Sequence, residues 1–345
     1  MKNVYMYVCL LMLFIIGCKS NNDGKIEKFQ RRRNKIINVE NSINDIKTSI
    51  FFKESVLNII DSILIVNEGQ PSNEKGIHLF NKNTFKYITS TGIIGKGPGE
   101  IILPGRIGVD SKNKILWVPD HGKRILLKFF LDSILNNEMY KPTNKIDLHL
   151  DLFLERFDFL DDSIALGKAV HVIDNHSFNM VVAKVNLNTN KTEKFGYEHP
   201  ETIGKKSNSL FKLSLKDSIY VNCYVYCDLM TICDLQGNLK YNVYGPGWQK
   251  NEDNRNSYFF GLDLMKNYII TSYLGDVSTV FNEFKRPKGN LPTKFQIFDL
   301  KGNYIKTIET GHKFQFFCVD EENNRVIIYF EDRENPLGYI DLDLD

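Results

Sequence analysis

The sequence predicts an all-β fold: a six-bladed β-propeller of four-stranded antiparallel blades. The first observation is a period of roughly fifty residues, of the kind that marks propellers and solenoids. An acidic or polar turn followed by a β-rich run recurs as "IIDSILIVNE", "GVDSKNKILWVPD", "FLDDSIALGKA", "SLKDSIYVNCY", "DLMKNYIITSY" and "CVDEENNRVIIYF". The second is that each copy is followed by another β run, such as "GIHLFNKNTFKYI" or "KFQIFDLKGNYIKTI", with Asn-Lys-Asn, Gln-Gly-Asn or Lys-Gly-Asn at the tight turns. The third is that no long helical period appears after residue 50. Six such meanders arranged radially leave only short, protected edges.

Composition agrees with strands. The chain has 345 residues, 12% aromatics and a formal net charge of +2. A near-balanced charge argues against nucleic acid as the main partner, because phosphate recognition needs a concentrated basic face.

The first residues are a separate object. Lys2 precedes an apolar run from Val4 to Ile16, too short to span a bilayer, which takes about 20 residues. Then "FIIGCKS" turns abruptly polar at Gly17 and Cys18. This resembles a bacterial lipoprotein signal peptide. The resemblance implies a signal of residues 1–17, lipidation of Cys18 and a membrane anchor at the N-terminus. Lys19, rather than Asp, after the cysteine implies sorting to the outer membrane. Residues 18–34, "CKSNNDGKIEKFQRRRN", read as a lipidated flexible tether. Arg31 to Arg33 read as part of that solvated linker.

Residues 35–345 are expected to form the propeller. The last copy ends at its third strand, which would leave an unpaired edge. The segment "NKIINVENSI" (34–43) is expected to supply the missing strand and close the ring. The loop "GIIGKGPGEIILPG" (92–105) links the first two blades. It lacks the Gly-Lys-Ser/Thr and the following helix of a phosphate-binding loop. Gly97-Pro98-Gly99 recurs as Gly245-Pro246-Gly247 at the corresponding place after blade 4, which marks architecture rather than catalysis.

"GKGPGEIILPGRIGVDSKNKILWVPDHGKRILLKF" resembles an NHL-type propeller repeat, through Pro104, Asp110, Val118 with Asp120, and Arg124. "NYIITSYLG…PTKFQIFDLKGNYIKTI" resembles the TolB-like six-bladed propeller lipoproteins. The resemblance implies a binding scaffold, while some NHL-like propellers are metal-dependent lyases or lactonases.

Candidate chemistry is sparse. Asp147, His149 and Asp151 share one face of a strand, as carboxylate–His–carboxylate metal ligands could, but the pattern fits a solvated outer strand. Cys223, Cys227 and Cys233 cluster in blade 4. A Cys223–Cys227 disulfide and buried thiols both stay open in an oxidising envelope. Cys318 reads as a buried thiol. His121, His171 and His176 have no counterparts in the other blades. No nucleophile–base motif appears, so no catalytic residue, metal or cofactor is expected. The expected function is a lipid-anchored, non-enzymatic scaffold for a protein, peptide or glycan. The alternative is a metal-dependent lyase or hydrolase.

Loop lengths choose the working face. First-to-second and third-to-fourth turns are short, whereas second-to-third turns and blade links are long, and long loops on rigid strands carry function. The expected ligand face therefore carries Glu68, Arg106, His121, Arg124, His171, Tyr273, Arg286 and Arg333.

Overall fold

The structure, a computed structural model, describes residues 26–344 apart from 52, 150, 175–176, 204–207 and 250–254. Three short strands come first: β1 (Glu27–Phe29), β2 (Ile36–Asn38) and β3 (Asn44–Asp45). Blade 1 follows as β4 (Ser55–Ile60), β5 (Ile63–Glu68), β6 (Lys75–Asn81) and β7 (Tyr87–Ile93). Blade 2 is β8 (Gly108–Asp110), β9 (Ile115–Asp120), β10 (Ile125–Phe130) and β11 (Lys145–Asp147), with the short helix α1 (Leu131–Asn136) before its last strand. Blade 3 is β12 (Leu152–Phe159), β13 (Ile164–Val172), β14 (Phe178–Asn186) and β15 (Lys191–Lys194). Blade 4 is β16 (Ser209–Ser214), β17 (Ile219–Tyr224), β18 (Leu229–Asp234) and β19 (Leu239–Tyr244). Blade 5 is β20 (Asn256–Met265), β21 (Tyr268–Val277), β24 (Lys294–Asp299) and β25 (Tyr304–Glu309), with the hairpin β22 (Thr279–Phe281) and β23 (Pro287–Gly289) inserted midway. Blade 6 is β26 (Phe314–Asp320), β27 (Arg325–Phe330) and β28 (Leu337–Asp341), completed by β3.

Period-two alternation explains the packing. Both faces of a middle strand are covered by neighbouring blades, so both are apolar. In β9, Leu116 and Val118 join the cluster shared with blade 1, while Ile115 and Trp117 join the one shared with blade 3. The seams between blades 3 and 4, 4 and 5, 5 and 6, and 6 and 1 are each filled by a cluster of their own.

Turn chemistry fixes the register. Asp61, Lys114, Ser218, Lys266 and Asn324 take left-handed backbone angles, φ +48° to +54°, in first-to-second turns. In third-to-fourth turns, the side-chain oxygens of Asn81, Asn186, Asp234 and Asp299 each accept from two backbone N–H groups.

The N-terminal segment closes the ring, but by other residues than expected. β3 pairs antiparallel with β28 (Asp45 with Gly338, Asn44 with Tyr339), so the fourth strand of blade 6 is residues 44–45 and not 34–43. β1 and β2 add as fifth strands, parallel to β19 and β25. The chain thus straps the outer edges of blades 4, 5 and 6 in turn. This corrects the flexible reading of the tether over residues 26–34. Arg33, read as solvated, has only 3% of its side chain exposed. Its Nη1 sits 3.0 Å from Asp228 and 2.8 Å from Gln296 Oε1, beneath the rings of Tyr273 and Phe298. Arg31 and Arg32 remain exposed. The signal, Cys18 and residues 18–25 lie outside the described residues.

The Gly-Pro-Gly loops are wrapped around carboxylates. Glu100 accepts from Gly97 N–H at 2.7 Å, and Lys123 donates to the Gly97 and Glu100 carbonyls. Asp228 accepts from Gly247 N–H at 2.9 Å. The N–H groups of Gly95, Gly97, Gly245 and Gly247 are thus already used by protein. A Cβ on Gly245 would lie 2.1 Å from the Asp228 carboxylate. Gly245→Ala is therefore expected to push Asp228 off Arg33 and destabilise by about 1–3 kcal/mol. A urea midpoint equal to that of the parent would show that the carboxylate relaxes freely.

Candidate functional site at the channel mouth

The first strands of all six blades line a central channel. The bonding pattern puts the first-to-second and third-to-fourth turns on one rim and the second-to-third turns and blade links on the other; most of the former are short, but the third-to-fourth connection of blade 2 (131–144), which carries α1, is long, against the expectation for that rim. Near the loop rim, β12, β20 and β26 carry bulges, between Leu154 and Arg156, around Phe259, and between Phe314 and Phe316. Bulges re-aim side chains beside sites.

The bulge in β12 brings Glu155 between two arginines. Its Oε1 lies 3.3 Å from Arg106 Nε and its Oε2 2.9 Å from Arg156 Nε. Arg106 also lies over the Phe316 ring, at 5.1 Å. Among the described residues, the Nη nitrogens of both guanidiniums make no hydrogen bond to protein, so two donor forks face the channel. Burial, then the Arg156 charge, lowers the Arg106 pKa to about 9 against the pull of Glu155; it stays protonated at neutral pH. The chamber beneath them has about 110 Å³ and touches every blade. It suits a carboxylate or a similar small anionic group, with Phe260, Phe316 and Phe317 as walls.

Deeper, Lys212 of blade 4 joins blades 3 and 5. Its Nζ lies 3.2 Å from Asp263 and 3.8 Å from Asp158. The second oxygens of these carboxylates accept from Val319 and Leu213 N–H, so the network staples successive blades. The charges of Asp158 and Asp263 raise the Lys212 pKa despite its desolvation. Lys212→Met is expected to destabilise by about 1–2 kcal/mol at neutral pH. The loss should stay full through neutral pH and shrink only as pH rises past the ordinary lysine range, where the parent's ammonium begins to lose its proton. Denaturant titrations at pH 7 and about 11 check this; an equal deficit at both would remove the charge explanation. Below Lys212 the channel widens to about 730 Å³ and opens at the tight-turn rim beside Asp161 and Asp162.

The structure distributes the sequence-derived residues unevenly. Arg106 is at the mouth. Arg124 is exposed in its turn, with φ +58°, and Arg286 is exposed on the β22–β23 hairpin. His121 is half-buried, its ring 6.2 Å from that of Phe153. His171 is half-buried opposite Leu152. Three are committed elsewhere. Glu68 is buried and accepts from Lys53 N–H, Ser72 and Asn73, with His78 Nε2 at 2.9 Å. Tyr273 is buried and donates to Asp228 at 2.9 Å. Arg333 pairs with Asp45 at 2.6 Å and so fastens the closing strand. Charge and loop position alone do not separate such structural residues from accessible ones.

Cys223 and Cys227 form no disulfide. Cys223 points into the seam with blade 5, whereas Cys227 packs with Tyr224, Leu229 and Tyr244, so the thiols serve different layers. Cys318 is buried. Asp147, His149 and Asp151 are exposed. His176 lies outside the described residues. Sequence reading missed Glu155 and Arg156, which look like ordinary strand charges until the bulge gathers them. It also missed Phe281 and Phe284, 70% and 72% exposed on the hairpin.

A closed six-bladed ring with a small arginine-flanked chamber at its loop-bearing mouth defines the class of this protein. The chain belongs to the TolB-like six-bladed propeller family, whose model matches residues 34–322. No curated protein matches the sequence. Among solved structures it is similar to a DUF4221-family member from Bacteroides vulgatus, with 10% identity, TM-score 0.62 and coverage of 87% of this chain and 95% of that one. It is also similar to a Bacteroides fragilis protein inferred to be exported, with 12% identity, TM-score 0.56 and coverage of 91% and 98%. A luciferin-regenerating enzyme shares the fold at 10% identity and TM-score 0.55, covering 88% and 95%. At these identities the likeness concerns the fold alone.

Proposed function

We propose that this chain is a lipid-anchored protein of the bacterial envelope, sorted to the outer membrane, that acts as a non-enzymatic binding scaffold. Its loop face would receive a peptide, protein or glycan whose anionic group enters the chamber under Arg106 and Arg156. The carrying observation is the carboxylate-bridged arginine pair with unused Nη donors, because a bidentate fork is the geometry that recognises carboxylates. The exposed phenylalanines of the blade 5 hairpin, on the same loop-bearing face, support an apolar contact there. The lipobox-like "FIIGCKS" and the exported character inferred for a structural relative support the envelope location.

Cross-linked pull-down from envelope extracts tests the binding reading. Arg106→Glu with Arg156→Glu is expected to lose the captured partner while keeping the parent's melting temperature. Arg124→Glu and Arg286→Glu should weaken capture. Lys112→Glu, Lys191→Glu and Lys301→Glu on the tight-turn rim should change little. Damage confined to the tight-turn set would overturn the face assignment. Metal analysis of the purified chain separates this reading from the lyase or hydrolase alternative. For the anchor, Cys18→Ala should leave an uncleaved precursor that takes up no labelled fatty acid; normal labelling of that variant would reject lipidation at this residue.

A further inference from the structure

We propose that the seam between blades 3 and 4 carries a second site, in which the Lys168 ammonium binds a small monocarboxylate. This site does not rest on the arginine pair. Lys168 stands in mid-strand on β13 and is 3% exposed. Among the described residues its Nζ has no hydrogen bond and no ion pair, and it stands 5.9 Å from the centre of the Tyr224 ring. A buried ammonium is ordinarily paired, because desolvating a charge without a partner is strongly unfavourable. Its cross-strand neighbour on β12 is Arg156, so a like charge stands opposite rather than a counter-ion.

The amine lines a pocket of about 130 Å³, room for roughly four waters at about 30 Å³ each. Met180, Phe195, Tyr197 and Tyr224 wall it, and Lys194 and Glu198 share its lining. Lys194 is exposed at the pocket's edge, so inside the seam, among the described residues, only the Glu198 carboxylate stands near the buried ammonium, and it forms no ion pair with it. Glu198 would repel a dianion, and the apolar walls suit a short alkyl tail. One carboxylate with a short chain therefore fits the charge, size and polarity, where a phosphate does not.

Titration supports this geometry. Burial lowers the Lys168 pKa to about 8, with Glu198 opposing and Arg156 adding to the shift. Between pH 8 and the ordinary lysine range the unfolded chain binds more protons than the folded one. The penalty is therefore full below about pH 8, and stability rises with pH above it. A bound carboxylate would supply the missing partner and draw the pKa back up, so binding at pH 8.5 should take up a proton.

The test is isothermal titration of the purified full chain with acetate and propionate, against inorganic phosphate, propionamide and chloride at matched ionic strength. Propionate is expected to bind with Kd on the order of a millimolar, consistent with its few atoms. Its enthalpy at pH 8.5 should vary with the ionisation enthalpy of the buffer, reporting proton uptake. Lys168→Met should weaken binding at least tenfold and, lacking the stranded charge, should melt a few degrees higher than the parent at pH 7. These titrations are made with Arg106→Gln in place, which breaks the arginine pair at the channel mouth and leaves Arg156 opposite Lys168. Undiminished binding by Lys168→Met, no binding beyond the chloride control, or phosphate binding as well as propionate would each overturn the proposal.

Discussion

Arg33→Ala is expected to destabilise the propeller by about 3–5 kcal/mol, the range for removing one partner of a buried ion pair. The reason lies in what remains. Asp228 has no exposed side-chain surface, and among the described residues it would keep only the Gly247 N–H and the Tyr273 hydroxyl against its charge. The guanidinium also fills space among Phe259, Tyr273 and Phe298, so its loss opens a hole beneath three rings. Asp228→Asn in the Arg33→Ala background should recover part of the loss, and the double-mutant cycle isolates the pair. Arg31→Ala and Arg32→Ala, both exposed, should stay within about 0.5 kcal/mol of the parent. If all three single variants share one urea midpoint, Arg33 does not clamp the strap.

Deleting residues 35–50 should have a larger effect. It removes β2, β3 and Ile46, whose side chain is 1% exposed and whose N–H donates to the Leu337 carbonyl. Losing the Ile46 side chain alone accounts for about 2–5 kcal/mol. Blade 6 would also lose its fourth strand and the Asp45–Arg333 pair. The truncated chain is expected to show no single cooperative unfolding transition, with amide protection lost together across β28 and blade 1. A truncated chain with the parent's melting curve would make the segment an ornament rather than a closure.

The fold was legible because its signals are local and repeated. Polar turns at fixed offsets and strands apolar on both faces occur in every copy, and the rims follow from the meander order, although the long helix-bearing connection of blade 2 escaped the loop-length reading. The strap was not legible. Its strands are two or three residues long, too short to show a period, and their register depends on edges that exist only after the ring has formed. Nothing local distinguishes Arg33 from Arg31. The candidate site was legible in part. Arg106 follows from its place on a link, but Glu155 needs the bulge, and Glu68, Tyr273 and Arg333 look like ligand residues only until their partners are seen. Lys168 did leave a trace, a single cation inside "IALGKAV", where every other side chain is apolar.

The parallel pairing of β1 with β19 also gives the molecule an up and a down. A fourth strand runs from the tight-turn rim to the loop rim, and β1 runs beside it in the same direction. The N-terminal end of β1 therefore lies on the side of the tight turns. Under the lipid anchor proposed at Cys18, the ring would stand with its tight turns towards the bilayer. Arg106, Arg156 and the phenylalanine-tipped hairpin would then face away from that surface, towards whatever diffuses past it.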